Sequence, residues 1–328
     1  MGITDIRIPD QIICFVAAFA LALLSGAVLI PFLRRLKFGQ TVRDDGPKTH
    51  LVKQGIPTMG GFIFLVPLVL IGGYFALTDK NMTALVLTTL GFGLVGFVDD
   101  FLMIKRKSKD GLKPKQKIIG LLVVSACFTA YVVTMTDAGN KTVIPFIGLD
   151  NPLTVPIFLF IPFCLFMLLS YTNAVNLTDG VDGLAGSITM IVLVFFTVVS
   201  MLNSEWNSIK LFCAILSGGC LGFLAYNLYP AKVIMGDIGS LALGGAVASV
   251  SILLQMPFIL VIAGMVYFIE NISVILQVAY FKKTGKRIFK MAPIHHHFEL
   301  SGWKETKVVT VFLISTVIFC AIAFYALR

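Results

Sequence analysis

The chain has 328 residues, 57% of them hydrophobic and only 13% charged, with a mean hydropathy of +0.93. A soluble domain carries about 25% charged residues, so this composition excludes both a soluble globular protein and a disordered one. The formal net charge is nevertheless +9, from 26 Lys and Arg against 17 Asp and Glu. On so apolar a chain that excess reads as cations gathered on one side of a membrane; nucleic-acid binding would need a solvated basic domain, and no nucleic acid partner is expected.

A membrane-crossing helix needs roughly 20 apolar residues. Ten candidates follow in chain order, over 12–32, 57–77, 83–98, 118–136, 156–172, 184–202, 211–229, 238–255, 257–281 and 308–327. The longest gaps, 33–56 and 282–307, are too short for a further domain of usual size. The expectation is an all-α polytopic membrane protein with ten transmembrane helices and one domain over 1–328. The spans are too long, and alternate too little, for a β-barrel. With the N-terminus outside, 21 Lys and Arg fall in the inner loops, and only Arg7, Lys80, Lys141, Lys210 and Arg328 remain outside. That asymmetry places both termini outside and gives five cytoplasmic loops. The first ten residues lack the basic start of a cleavable signal, and the first apolar run is longer than such a signal carries. All six cysteines fall inside spans without metal-ligand spacing. The segment 141–154 is rich in β-branched and turn-forming residues and is expected to form a small external hairpin.

The acids carry the chemical information. Asp99 and Asp100 end the third span in Gly-Phe-Val-Asp-Asp. Two adjacent anions at a helix C-terminus oppose the helix dipole, which a bound cation or the following Lys105, Arg106 and Lys107 would relieve. Next comes Asn176-Leu-Thr-Asp179-Gly-Val-Asp182-Gly at the mouth of the sixth span, without Lys or Arg to neutralise it. One Asp would suffice to cap that helix; two, with Asn173 and Asn176 nearby, point to a ligand, and in helical conformation Asp179 and Asp182 would share a face. Met235-Gly-Asp237-Ile-Gly-Ser240 opens the eighth span. There the free N–H groups of a helix start suit phosphate, and Asp237 suits a Mg²⁺ that a diphosphate also ligates. A cap alone is the plainer use of that motif.

His295-His296-His297, followed by Phe298 and Glu299, lies in the last inner loop. Three consecutive residues do not converge on one tetrahedral zinc, and imidazoles beside a basic loop fit phosphate contact and proton handling. Lys48 and Lys53, ahead of Pro57-Thr-Met-Gly60-Gly61, and the basic loop over 105–117 add cations on the same side. Glu270 is the only ionisable residue deep in a span; such residues are costly and usually functional, and a neutral Glu bonded to a neighbouring helix is the equally weighted structural reading.

Pro57-Thr-Met-Gly-Gly, Gly96-Phe-Val-Asp-Asp, Asn176-Leu-Thr-Asp-Gly, Met235-Gly-Asp and Pro293-Ile-His-His-His-Phe-Glu together resemble the bacterial phospho-N-acetylmuramoyl-pentapeptide transferase family. It belongs to the polyprenyl-phosphate N-acetylhexosamine-1-phosphate transferase superfamily. The resemblance runs over nearly the whole chain, and the triple-His loop points to the muramoyl-pentapeptide branch. It implies a Mg²⁺-dependent enzyme of the bacterial plasma membrane, with its active site on the cytoplasmic face. Such an enzyme transfers phospho-MurNAc-pentapeptide from UDP to undecaprenyl phosphate and gives lipid I and UMP. Its implied partners are UDP-MurNAc-pentapeptide, undecaprenyl phosphate and the lipid bilayer, with a second copy of the chain as a candidate partner.

Carried onto matching positions, the resemblance makes Asp99 and Asp100 catalytic and Asp237 the Mg²⁺ ligand, itself counted with the catalytic residues. Lys53, Asn176, Asp179, Asp182, Asn227 and Gln277 would surround the nucleotide. His295 and His297 would contact substrate, and His296 joins the catalytic group. Two positions depart from the family pattern: Ile234 stands where Phe usually stacks on uracil, and Ile56 where Thr is common. Two other readings stand beside this one. A sister enzyme would move GlcNAc-1-phosphate with the same acidic motifs, and an anion transporter would place its polar residues near the midplane rather than at one face.

Overall fold

A computed structural model describes residues 8–36, 55–106 and 111–328. Helices dominate: α1 (Asp10–Arg35), α2 (Phe62–Ala76), α3 (Lys80–Arg106), α4 (Pro114–Met135), α5 (Ile157–Thr178), α6 (Leu184–Val199), α7 (Asn207–Asn227), α8 (Gly236–Leu253), α9 (Pro257–Ala263), α10 (Met265–Thr284), α11 (Ile294–Glu299) and α12 (Glu305–Tyr325). Among the described residues, eight helices are long and apolar enough to cross a membrane, or nine if the bent α9–α10 pair is one span. A two-stranded antiparallel ladder, β1 (Lys141–Thr142) on β2 (Leu153–Thr154), forms the hairpin expected between α4 and α5.

The burial of each helix follows its place in the bundle. The α8 window is 89% buried, whereas those of α1, α4 and α12 are 22–28% buried, so α8 is the central post and the other three face outward. Helix α7 lies between α1 and α6, and α8 packs against α3 and α5. The outward faces carry Leu, Ile, Val and Phe, as lipid contact requires: Leu24, Val28, Ile118, Val123, Ile314 and Val317 are all exposed.

The second expected span is shorter than its hydropathy implies. Residues 57–61 lie outside any helix, with Met59 at φ 67°, and helix begins only at Phe62. Pro67 has no N–H to donate to the helix, and a π-helical segment, Leu68–Gly72, follows directly. In place of helical bonds, the 57–61 segment pairs with the approach to α8. Gly60 N–H donates to Ile234 O at 2.8 Å, Gly61 N–H to Met235 O at 2.9 Å, and Ile234 N–H to Pro57 O at 2.9 Å.

The ninth expected span breaks at Gly264, where α9 and α10 meet at 83°. A break inside a bilayer frees carbonyls that must be satisfied locally. Leu260 O, one turn before the break, accepts both from Gly264 N–H at 2.7 Å and from Tyr171 OH at 3.0 Å, which ties α9 to α5.

Candidate active site

Four helix ends meet around three carboxylates. Asp99 and Asp100 are buried on α3, and Asp237 lies in the first turn of α8. Helix α3 runs on to Arg106, so the two acids are not in its last turn; that turn holds Lys105 and Arg106, which suit the negative helix end. The dipole argument for a cation at Asp99 and Asp100 therefore fails, and the case rests on what surrounds them. Close approach of α3 and α8 requires Gly96: a Cβ there would run into the carbonyl of Asp237 and stand 2.6 Å from Ile238 N. With α8 held this near, Ile238 N–H donates to Asp100 Oδ2 at 3.1 Å.

Asp99 and Asp237 share one cation, Lys117, whose Nζ lies 3.2 Å from Asp99 Oδ2 and also bonds Asp237 Oδ2. Its position follows from the start of α4. Pro114 is preset for a first helical residue, and Gln116 Oε1 accepts the Lys113 N–H at 3.1 Å, so the helix begins just before Lys117. Asp99 Oδ1 also accepts from Leu112 N–H. On the other side of Asp237, Asn176 Nδ2 donates to Oδ1 at 2.8 Å and lies 2.9 Å from Ser240 Oγ. When all are ionised, three carboxylates here face one ammonium. In the sequence, Lys117 reads only as part of the basic loop over 105–117. Its signal was its place in the first turn of a helix opened by proline.

The remaining expected residues fall into two groups. Asp179 ends α5, and Asp182 lies in the turn before α6, so they are not on one helical face; Gly183, not an acid, caps α6. Asp182 Oδ2 accepts from Ala231 N–H at 2.9 Å. Asn227 is buried, with Oδ1 accepting from Gly183 N–H at 3.0 Å and Nδ2 donating to Val233 O at 2.9 Å. Together these bonds tie the 179–183 turn to the approach to α8.

Gln277 spends its amide on the loop after α10: Oε1 accepts from Ile288 and Phe289 N–H, and Nε2 donates to Phe289 O, each at 3.0 Å. His297 Nδ1 accepts from Lys290 N–H at 3.1 Å in the same loop. On α11, His296 Nδ1 meets Glu299 Oε2 at 2.7 Å, and fully buried His295 lies 3.1 Å from Glu270. Gly180 faces both of these rings, so the His loop abuts the turn that carries Asp179. Lys53 lies outside the described residues. Among the described residues, no three His, Cys, Asp or Glu side chains are grouped as a ready metal cage.

The site is thus a group of carboxylates, amides and one cation at the helix ends of an apolar bundle, a donor set that suits a phosphate-bearing substrate. A family model, "Glycosyl transferase family 4", matches residues 82–255, which contain Asp99, Asp100, Lys117, Asn176 and Asp237. The chain is 55% identical to the phospho-N-acetylmuramoyl-pentapeptide-transferase of Acetivibrio thermocellus, over 98% of this chain and 97% of that one. It is 50% identical to the enzyme of the same name from Clostridium perfringens strain 13, over 97% and 99%, and 47% identical to that of Clostridium botulinum strain Alaska E43, over 99% of each. The chain belongs to the phospho-N-acetylmuramoyl-pentapeptide-transferase family.

Proposed function

We propose that the protein transfers phospho-MurNAc-pentapeptide from UDP-MurNAc-pentapeptide to undecaprenyl phosphate, forming lipid I and UMP in the bacterial plasma membrane. The observation that carries this reading is the convergence of Asp99, Asp100, Lys117, Asn176 and Asp237 at one end of the bundle in a chain with full-length relatives of that name. Ten spans are reached if α2 and the α9–α10 pair each count as one crossing, and the Lys and Arg distribution supports a cytoplasmic site within a single domain.

The donor set suits magnesium. Mg²⁺ takes oxygen ligands, commonly one or two carboxylates plus substrate phosphates, and a cationic atom, Lys117 Nζ, already lies between oxygens of Asp99 and Asp237. Asp237 would hold the ion, which when bound supplies charge neutralisation to the diphosphate and its leaving oxygen. The rest is the work of the protein's own residues.

Asp99 accepts the remaining proton of the lipid phosphate, whose second pKa near 6 makes that step only partly necessary at neutral pH. A lipid phosphate oxygen then forms a bond to the β-phosphorus of the UDP-sugar. The bond from that phosphorus to the bridging oxygen breaks, and UMP departs with the electron pair. Asn176 orients Asp237, Asp100 fixes the first turn of α8, and Lys117 screens the phosphates. Asp179, Asp182 and the His loop border the nucleotide-sugar; Asn227 and Gln277 shape that border through the backbone they bind.

The test is purified protein with undecaprenyl phosphate, Mg²⁺ and either UDP-MurNAc-pentapeptide or UDP-GlcNAc, with UMP and lipid product measured. Turnover of the muramoyl substrate alone is expected. Turnover of UDP-GlcNAc alone would assign the sister reaction, and no turnover of either would revive the transporter.

A further inference from the structure

Glu270 has no part in the chemistry above, yet it is wholly buried in α10, as is His295 on α11, and Glu270 Oε1 lies 3.1 Å from His295 Nδ1. Beyond that contact, neither carboxylate oxygen nor either ring nitrogen has a hydrogen-bond partner among the described residues. A buried acid and a buried imidazole each cost desolvation, and packing alone would be served better by two apolar side chains. The surroundings give the pair a use. The His295 ring lies 4.1 Å, centroid to centroid, from that of His296. A Cβ on Gly180 would collide with His295 Nε2 and stand 3.2 Å from His296 Nε2. His295 thus wedges between Glu270, the turn at Asp179 and Gly180, and the His296 ring.

We infer that Glu270 is a positioning residue: it anchors Nδ1 of His295, and His295 in turn sets both the turn at Asp179 and the His296 imidazole that meets the nucleotide-sugar. His296 is the ring nearer the open side, at 9% exposure against 0% for His295, and its Nδ1 is hydrogen-bonded to Glu299 Oε2 at 2.7 Å, whereas Glu270 and His295 are in close contact at 3.1 Å without hydrogen-bond geometry. Two carboxylate–imidazole pairs therefore stand side by side, one buried as a support and one at the rim. An imidazole whose Nδ1 is fixed presents Nε2 in one orientation; for metal-ligating histidines, loss of such a carboxylate partner costs about 10–100-fold, and a loss on that scale is expected here. The inference rests on the transfer reaction proposed above.

A double-mutant cycle between Glu270→Gln and His295→Asn tests it, with UMP release and thermal unfolding in detergent both measured. Glu270→Gln is expected to lower kcat/KM by about 10–100-fold in the otherwise native chain. In the His295→Asn background it should change activity by less than about twofold, because its route of action is already gone. Glu270→Asp, which retains a carboxylate, should recover part of the loss. Equal losses in both backgrounds, native activity in Glu270→Gln, or no advantage of Asp over Gln would overturn the inference. If His295→Asn is itself inactive, the unfolding cycle and the Asp comparison decide: additive stability effects mean no working pair. Absence of turnover in the native chain would instead count against the reaction, and the unfolding cycle would still report on the pair.

Discussion

Gly96→Ala is the smallest change that addresses the site's construction. The added methyl group would stand 2.6 Å from Ile238 N and closer still to the Asp237 carbonyl. Restoring an ordinary separation of about 3.5 Å to that nitrogen requires a shift of about 0.9 Å. The obstacle is main chain, so no rotamer change relieves it; α8 must move relative to α3, carrying Asp237 away from Lys117 and Ile238 N–H away from Asp100. A misplacement of about 1 Å at reacting groups costs on the order of 100-fold in rate, and overpacking of this kind costs roughly 1–3 kcal/mol of stability. The assay is UMP release by purified protein, with thermal unfolding in the same detergent. Gly73→Ala is the control, because nothing lies within 4 Å of a Cβ there. It should leave rate and unfolding unchanged, or raise stability slightly through better helix propensity. A Gly96→Ala protein with native kcat would refute the claim that α3–α8 contact sets the site.

Lys117→Met removes the cation shared by Asp99 and Asp237. Turnover should fall by at least about 100-fold, the scale seen when one electrostatic donor of a catalytic site is lost; near-native rates would remove Lys117 from the mechanism. Asn176→Ala deletes the donor to Asp237 Oδ1, and the Mg²⁺ concentration for half-maximal rate should rise about 10–100-fold; an unchanged Mg²⁺ dependence would contradict that support. Protein mixed with UDP-MurNAc-pentapeptide but no lipid should release no UMP in proportion to enzyme. A stoichiometric burst would instead establish a covalent aspartyl-phosphate route.

Hydropathy alone marked where helices lie, because lipid-facing and core helices both need continuous apolar surface. It overstated α2, since residues 57–61 are used in backbone pairing with Ile234 and Met235 rather than in helix. Of the acid motifs, two are brought together by the structure, Asp99 and Asp100 beside Asp237; that many grouped carboxylates exceed what helix capping needs. What stayed hidden was pairing across the chain. Lys117 meets Asp237 from 120 positions away, and only the packing of α4 beside α3 and α8 brings them together. Glu270 stood out as a buried acid, but its partner was one of three adjacent histidines that sequence could not separate. Asn227 and Gln277 are expected around the nucleotide, and the sequence does not show that their amides also hold the backbone of neighbouring loops.

In the proposed reaction Asp237, held between α3, α4 and α5, makes phosphosugar transfer depend on Mg²⁺. The most direct test is UMP and lipid I formation across a Mg²⁺ titration, after chelation, for the native chain and for Asp237→Asn. The native protein should be inactive after chelation and fully restored by Mg²⁺. Asp237→Asn should unfold at a similar temperature yet stay inactive at every Mg²⁺ concentration. Mg²⁺-independent turnover by the native protein, or a native titration curve for Asp237→Asn, would contradict the account.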